Sequence, residues 1–466
     1  MTTVMMENIV TKDLQKVSVL HLLRDQRGVF AYSSKITITD KGVVTMEIFE
    51  SDGLRMYEDI VDLAALGDRF AGSTAEKEAG EIVKKSFIQS GLEVYEESFD
   101  VFSFYEKNSQ IKLRKPLELT FDTRAMYYSP GTHKEGLQGE LVYVKNGLEQ
   151  DYEGKDVEGK IVIFHRDDKQ IKDHFWPEIK TASEKGAIGA ILINFDDWEF
   201  ITTLETGYFE PSKRFLPIEP NEIPSVIVSK NKGDLILDLM NQEKVIVDII
   251  VDTLNEKMRS SNIRGVKAGS QNNNEKILIY GHRDSAGTPG ANDNGSGTVI
   301  MMELARLLKD MKLNRTIEFL STGAEEQLGA AGALEYINRH KSELNNIKAA
   351  VELDMVGNGN SLCVMKGGEW PDKTVNFPDK VCQFFYEKAR EYGYAVEYGF
   401  NDFGTPDSGK FASAGVPTTW IWGPDDIYYH SPEDTPEKVD RNKLKIVADM
   451  LLKVILDLDK QETLNF

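Results

Sequence analysis

The sequence contains the residue types of a metal site between Lys276 and Gly297 (KILIYGHRDSAGTPGANDNGSG). His282, Asp284 and Asp293 lie there in a polar loop rich in glycine and proline. The loop follows the apolar run 277–280, which is typical of a buried strand, and precedes a long apolar helical pattern. Loops at the carboxyl ends of strands line the binding crevice of α/β folds, and imidazole and carboxylate are ligands of catalytic zinc. The alternative interpretation is a surface loop whose Asn-Asp-Asn-Gly sequence only forms turns.

Three further segments place acidic or imidazole side chains close behind predicted strands. Glu325 and Glu326 follow one of these strands. Asp354 ends a second strand, and His430 follows a third. Taken singly, the glutamates could stabilise a helix N-terminus, the aspartate could cap a helix, and the histidine could be an ordinary loop residue. Together the four segments supply two imidazoles and three carboxylates as ligands, with one carboxylate spare, which suits two divalent ions and a general base.

Adjacent and nearby residues suggest a division of labour within this set. Glu325 and Glu326 are neighbours, so their side chains point in different directions on any regular backbone. One of them can therefore bind metal while the other takes a proton, and the pattern leaves open which does which. Asp284 lies two residues after His282, where it is suited to hold the other nitrogen of a ligand imidazole.

Alternating strand and helix patterns could position these residues. We predict strands at 262–266, 276–280, 316–320, 349–354 and 418–422. We predict helices at 297–311, from near Glu325, at 379–392 and at 441–459. An earlier helix should begin at the capping box Ser73-Thr-Ala-Glu76 and end at Gly91. This alternation predicts an α/β fold with a mostly parallel sheet that is flanked by helices on both faces.

The composition is that of a globular protein with a large acidic excess. The chain has 466 residues, a hydrophobic content of 41% and a net charge of −21. This excess argues against nucleic acid or an anionic membrane as a partner. No apolar run approaches the ~20 residues of a membrane span, and the N-terminus lacks a secretory apolar core, so we expect a cytoplasmic location. Cys363 and Cys382 lie in a strand-like and a helix-like run, which predicts free buried thiols.

The order of these motifs resembles that of the co-catalytic zinc peptidase family, which contains aminopeptidases and glutamate carboxypeptidases. The chain has His-x-Asp-Ser, then Pro-Gly-Ala-x-Asp-Asn-x-Ser-Gly, then Glu-Glu, then Asp, then Tyr-His. The resemblance covers about 60–110 and 256–460, and five ligand positions match in order and type. It implies a zinc exopeptidase-like fold and two divalent metal ions, most simply Zn²⁺, with Co²⁺ or Mn²⁺ as alternatives.

The resemblance also implies a role for each residue. His282 and Asp354 would bind one ion, Glu326 and His430 would bind the other, and Asp293 would bridge them. Three further residues would have catalytic roles: Glu325 as the general base, Asp284 as the partner of the ligand imidazole, and Tyr429 as a group that stabilises the oxyanion.

Residues 112–255 form a predicted insert with short β-runs. They resemble a β-rich protease-associated domain in the segments VEGKIVIF (157–164), KGAIGAILIN (185–194) and IPSVIV (223–228). The insert would separate residues 56–111, the first part of the peptidase domain, from residues 256–466, the catalytic part. Residues 1–55 form an N-terminal segment in which the alternation over 35–49 predicts a β-hairpin.

These features predict a metal-dependent exopeptidase, with an aminopeptidase as the first interpretation. A carboxypeptidase or dipeptidase on the same scaffold is the alternative, and it needs a cationic pocket for a terminal carboxylate. A non-catalytic, receptor-like binding protein would have lost ligands, and none is lost here. The expected partner is a peptide substrate, and the sequence leaves a homo-oligomer open. One departure from the family is Ser408, which follows Asp407 where the family often has histidine, so the local substrate wall could differ.

Overall fold

The computed structural model describes residues 34–38, 44–48, 50–165, 176–194, 222–271, 274–285, 287–326, 329–370, 373–402 and 404–466. The chain forms two compact units, Met1–Asp52 and Gly53–Phe466. In the first unit, strands β1 (Ser34–Ile38) and β2 (Val44–Ile48) pair antiparallel with Ser34 opposite Ile48. This pairing confirms the hairpin predicted over 35–49, whereas residues 1–33 lie outside the described part of the chain.

The second unit contains the strands and helices that build the α/β fold. Its strands are β3 (Glu93–Lys115), β4 (Leu119–Asp122), β5 (Arg124–Ala125), β6 (Leu137–Tyr143), β7 (Ile161–His165), β8 (Gly189–Ile193), β9 (Ser225–Val228), β10 (Ile246–Lys267), β11 (Lys276–His282), β12 (Thr316–Thr322), β13 (Ile347–Asp354), β14 (Cys363–Trp370), β15 (Lys373–Asn376), β16 (Glu397–Asn401) and β17 (Thr418–Trp422). Its helices are α1 (Gly53–Ala64), α2 (Thr74–Gln89), α3 (Trp176–Glu184), α4 (Lys230–Met240), α5 (Gly297–Leu308), α6 (Ala331–Arg339), α7 (Asp379–Glu391), α8 (Asp407–Ser413) and α9 (Arg441–Lys460).

Four parallel strands form the centre of the catalytic sheet, in the order β17-β13-β11-β12. The antiparallel strands β14 and β10 flank them on either side. The apolar residues of β11, β12 and β13 are buried, as expected for parallel strands with both faces covered. His282 pairs with Thr322, and Asp354 pairs with Trp422, so the carboxyl ends of all four strands meet at one edge. The predicted fold, a mostly parallel sheet flanked by helices, is confirmed.

Two helices show how the sequence encodes this core. Helix α5 is buried along its whole length except at the half-buried Arg306, as its nearly continuous apolar pattern predicts. Helix α2 begins after Ser73, whose hydroxyl accepts a hydrogen bond from the backbone N–H of Glu76. The chain leaves this helix through Gly91, which has a φ of 73° and therefore suits a residue without a Cβ.

The two longest strands, β3 and β10, join the catalytic sheet to the insert. They pair antiparallel from Glu93 opposite Val266 to Lys115 opposite Ile246. The predicted domain limits at 112 and 255 therefore lie inside continuous strands. At the insert end of this pair, β6 pairs with β10. The parallel strands β6, β7, β8 and β9 build the sheet of the insert. The hydrophobic core of the insert also includes Phe70 from the first part of the peptidase domain and Ala324 from the catalytic part.

The prediction of a helix from near Glu325 is wrong, because helix α6 begins only at Ala331. The described residues before it, 323–326 and 329–330, are not helical, and Ala324 and Ala330 both adopt a left-handed backbone conformation, with φ values of 63°. This backbone is closed by hydrogen bonds from Ala330 N–H to the Glu325 carbonyl and from Ala331 N–H to the Ala324 carbonyl. Glutamates are good helix formers, but these contacts override their propensity.

Two further expectations concern membrane spans and cysteines. Within the part of the chain that the structure describes, no helix combines the length and the apolar character needed to cross a bilayer. Cys363 and Cys382 are both buried and free, which confirms the prediction of unpaired thiols. Burial raises the pKa of the Cys363 thiol to about 11 and that of Cys382 to about 12, so neither is a reactive thiolate near neutral pH.

Candidate metal centre

The predicted ligands gather at the carboxyl edge of the four parallel strands. His282 is the last residue of β11 and Asp354 the last of β13. Glu326 and His430 lie in the loops that follow β12 and β17. Asp293 lies in the turn before α5. All five residues are buried, with exposed fractions between 1% and 6%. The structure therefore brings together every residue that the sequence proposed as a ligand.

The carboxylate of Asp293 lies between two groups of donors. Its Oδ1 atom is 3.4 Å from His282 Nε2, and that nitrogen is also 3.4 Å from Asp354 Oδ1. Its Oδ2 atom is 3.3 Å from His430 Nε2, and that nitrogen is 2.9 Å from Glu326 Oε2. In each triad the potential ligand atoms lie within 4.8 Å of one another. Asp293 therefore belongs to both triads and contributes one carboxylate oxygen to each, as a bridging carboxylate would.

The residues of this site fit a divalent cation. Glu326 Oε1 is buried and has no hydrogen-bond partner among the described residues, although its partner atom Oε2 contacts His430. A buried carboxylate oxygen is costly to leave without a partner, and a cation would supply one. Nitrogen and oxygen donors in this number and proximity are those that zinc accepts.

The electrostatics of the site point the same way. Burial alone would lower the pKa of His282 and His430, but the facing carboxylates raise both well above the usual value of histidine. Burial, followed by the charge of Asp293, raises the pKa of Glu326 to about 8. In the absence of a cation the pocket thus retains protons on its imidazoles. A metal ion would take the place of those protons, so metal binding should release protons.

The loop around Asp293 is held by close backbone contacts. Gly290 has a φ of 59°, and a Cβ there would lie 2.5 Å from the Asp293 carbonyl oxygen, so only glycine fits. The side chain of Asn294 donates to the carbonyl of Leu353 at 2.8 Å and accepts from the backbone N–H of Gly297 at 2.9 Å. The first bond attaches the turn to the end of β13, next to Asp354, and the second attaches it to the start of α5.

Asp284 is placed differently from the simplest expectation. His282 Nδ1 is 3.2 Å from the backbone carbonyl of Asp284 and 3.6 Å from its carboxylate. The carboxylate instead accepts hydrogen bonds from the backbone N–H groups of Glu325 and Glu326, both at 3.1 Å. Asp284 therefore contacts the ligand imidazole and also holds the backbone of both glutamates.

The two remaining predicted residues lie around the ligands. Glu325 is half-buried, and its carboxylate groups with His282 and Glu326. Tyr429 is 39% exposed, and its ring stacks on that of His430 with centroids 3.7 Å apart. Both side chains are thus adjacent to the candidate ligands, and Tyr429 is exposed to solvent.

Two buried arginines support the ligand loop and were missed by sequence reasoning. Arg69 donates to the backbone carbonyls of Arg283 and Gly290 at 2.8 Å, and also to that of Pro289. Arg283 pairs with Glu76 in the fully buried interior. No sequence pattern singles out Arg69. Arg283, between His282 and Asp284 on a strand end, must point to the opposite face of the sheet, which was the available signal.

Ser408 lies away from any accessible wall. It is fully buried, and its backbone N–H donates to the Glu352 carboxylate at 2.8 Å. The preceding Asp407 accepts a hydrogen bond from Thr322, which is the strand partner of His282. Ser408 therefore lies in the interior, next to the strand partner of a candidate ligand, and a changed substrate wall stays a prediction.

Comparisons with known proteins agree with this geometry. The family described as "Peptidase family M28" matches residues 262–455, and the PA domain matches residues 137–236. Aminopeptidase YwaD of Bacillus subtilis (strain 168) is 27% identical over 430 residues, which cover 87% of this chain and 85% of that protein. The structure of an aminopeptidase from Aneurinibacillus sp. strain AM-1 is similar, with a TM-score of 0.67 and 26% identity over 89% of this chain and 96% of that one. BSAP, a zinc aminopeptidase from Bacillus subtilis, gives a TM-score of 0.72 at 25% identity, over 89% and 97% of the two chains.

Proposed function

The chain belongs to peptidase family M28 and contains a PA domain insert, and on this premise we propose that it is a metal-dependent aminopeptidase that removes N-terminal residues from peptides. The single observation that carries the proposal is the position of Asp293 between two donor triads. Relatives named as aminopeptidases support the choice of reaction.

The proposal includes two zinc ions per chain, and the same geometry supports this number. His282 and Asp354 would hold one ion, Glu326 and His430 the other, and Asp293 would bridge them. When bound, such a pair supplies a water of lowered pKa and positive charge opposite the scissile carbonyl oxygen. Co²⁺ or Mn²⁺ could take the same positions, because the ligands are nitrogen and oxygen atoms.

The residues around the ligands would perform the proton transfers. Glu325 is the proposed general base: its carboxylate lies beside the ligands and outside both Asp293 triads, and it can take a proton from water and deliver it to the leaving amine. Asp284 fixes the backbone of Glu325, which keeps that carboxylate in place. Tyr429, on the exposed side of His430, would donate a hydrogen bond to the developing oxyanion.

The charges around the site favour an aminopeptidase over a carboxypeptidase. A cluster of carboxylates attracts the α-ammonium group of a peptide, whereas a terminal carboxylate needs a cationic partner. Among the residues that the structure describes, three arginines belong to or contact the loop 283–290, and all three are already engaged. Arg69 bonds to backbone carbonyls, Arg283 pairs with Glu76, and Arg124 bonds to the Gly287 carbonyl and pairs with Glu106. None of these three is available to a substrate carboxylate.

Substrates blocked at one end test this proposal. Zinc-loaded protein should hydrolyse aminoacyl anilides and unblocked peptides, and release of amino acids should stop when the N-terminus is acetylated. Peptides amidated at the C-terminus should remain substrates. Cleavage that requires a free C-terminus and tolerates an acetylated N-terminus would show a carboxypeptidase instead. Binding of these peptides without turnover, with metal bound, would favour a non-catalytic protein.

A further inference from the structure

Asp434 has a buried carboxylate that binds the backbone N–H groups of two consecutive residues, Asn292 and Asp293. It is 1% exposed. Its Oδ1 atom accepts a hydrogen bond from the backbone N–H of Asn292 at 2.8 Å, and its Oδ2 atom accepts one from the N–H of Asp293 at 3.0 Å. Both oxygens are therefore used to hold the backbone from which the Asp293 side chain projects.

The same residue closes the loop that contains His430. Its backbone N–H donates to the Ser431 carbonyl at 3.1 Å, and its carbonyl accepts from the N–H of Ala291 at 3.2 Å. His430 itself has a φ of 52°, a left-handed conformation that a histidine adopts only when its surroundings hold it there. Asp434 thus joins the loop of His430 to the turn of Asp293 by three hydrogen bonds.

We propose that Asp434 is a positioning residue that sets the bridging carboxylate of Asp293 against His430, so that the two metal positions form as one unit. The inference rests on the proposed two-metal site. Replacement of Asp434 by asparagine would leave one of these two buried N–H groups facing an NH₂ donor instead of an acceptor, and would free the turn to rotate. A rotation of the backbone at Asp293 would move both of its oxygens, so both triads would lose their geometry together. Asp284 holds the backbone of Glu325 and Glu326 in the same two-bond manner.

The chain offers a matched control in Asp459. This residue is 4% exposed, and its carboxylate also accepts hydrogen bonds from two consecutive backbone N–H groups, those of Asn314 and Arg315, at 2.7 to 3.0 Å. These groups precede the start of β12 at Thr316, whereas the metal centre lies beyond the end of that strand. Asp459→Asn therefore measures how much stability is lost when a buried carboxylate that binds two backbone N–H groups is replaced at the opposite edge of the sheet.

Zinc binding by full-length protein, measured by competition with a chromophoric chelator, tests the inference. Replacement of groups that orient ligands typically weakens metal affinity roughly 10- to 100-fold. We expect Asp434→Asn to lose affinity by that factor at both positions, and Asp459→Asn to bind like wild type. The melting temperatures of the metal-free variants should fall by similar amounts. Asp434→Glu keeps the charge but displaces both oxygens by one methylene, so it should also bind zinc more weakly.

Several outcomes would overturn the inference. Wild-type zinc affinity in Asp434→Asn would show a purely structural residue, and wild-type affinity in Asp434→Glu would show that only its charge matters. A loss in Asp434→Asn that is matched by Asp459→Asn would reflect general destabilisation. A stoichiometry of one zinc ion per wild-type chain would remove the two-metal site on which the inference rests. Inactivity of wild-type protein on unblocked peptides would refute the aminopeptidase proposal instead, because the zinc affinities do not depend on turnover.

Discussion

Replacement of Glu325 by glutamine separates catalysis from metal binding in this site. The side chain is half-buried, lies outside both Asp293 triads, and its backbone bond to Asp284 does not involve the carboxylate. Glutamine has the same size, so the variant should fold like the wild-type protein. General-base catalysis contributes about 10²–10⁴-fold, which corresponds to about 2.7–5.4 kcal/mol of barrier, and kcat should fall by that factor. KM should change less, because this carboxylate acts chiefly in the transition state.

Replacement of the neighbouring Glu326 by glutamine should have a different signature. Its Oε2 atom is 2.9 Å from His430 Nε2, within the triad of Asp293, Glu326 and His430, so the variant would lose a proposed charged ligand. Zinc content after dialysis should fall, and excess zinc should restore part of the activity. The Glu325 variant should retain the zinc content of wild type, and added zinc should not restore its activity.

Steady-state kinetics on an aminoacyl anilide, combined with elemental analysis of zinc, would distinguish these cases. If Glu325→Gln loses zinc while Glu326→Gln keeps it and is inactive, the two roles are exchanged. If Glu325→Gln retains both zinc and full activity, this residue is not the base, and the proton must go elsewhere.

Three other perturbations test the supporting structure. Chelation of the metal should abolish activity and lower the melting temperature. The far-ultraviolet circular dichroism spectrum should stay unchanged, because the candidate ligands lie at the edge of a core sheet. A spectrum of an unfolded chain would contradict this. Arg69→Met removes the donor from three backbone carbonyls of the loop 283–290, at a cost of about 1–3 kcal/mol for each group left without a partner. The urea midpoint of unfolding and the zinc affinity should therefore both fall. An unchanged midpoint would show that water replaces the guanidinium. Burial lowers the pKa of Lys453 to about 8, so the unfolded chain retains this proton to higher pH than the folded protein does. The free energy of unfolding should therefore rise with pH between about 8 and 10, and Lys453→Met should flatten that slope in denaturant titrations; an equal slope in the variant would exclude this group.

The five candidate ligands could be predicted from sequence because the topology of the sheet brings their segments to one edge. Each follows or ends a segment with an unmistakable strand pattern, or precedes a strongly apolar helix, and parallel strands bring their carboxyl ends to one edge. His282 and Asp354 are the clearest cases, since each is the last residue of a buried strand. The order of roles within Glu325 and Glu326 came only from the family resemblance, because local pattern cannot say which carboxylate faces a metal.

The supporting residues could not be predicted because they act through long-range backbone contacts. Asp434 accepts hydrogen bonds from residues about 140 positions earlier, and Arg69 donates to carbonyls more than 200 positions later. Neither contact leaves a periodic pattern. The loop after β12 was misread as a helix for a related reason: Asp284, some 40 positions earlier, binds the N–H groups of Glu325 and Glu326 and holds the segment in a non-helical path.

The continuous pairing of β3 and β10 has a consequence for how the gene can change. Side chains alternate strictly along a strand, so loss of one codon inside β3 would turn every later residue of the ladder to the opposite face. In such a deletion the residues of β3 beyond the lost codon would exchange their buried and exposed faces along the ladder that joins the peptidase sheet to the PA domain. The ladder has register irregularities at two places, between Ile246 and Val247 and between Asp252 and Thr253, where a changed length can be absorbed. Natural variation in chain length should therefore collect at these two places and in the turns, and chimaeras with a foreign PA domain should be spliced there.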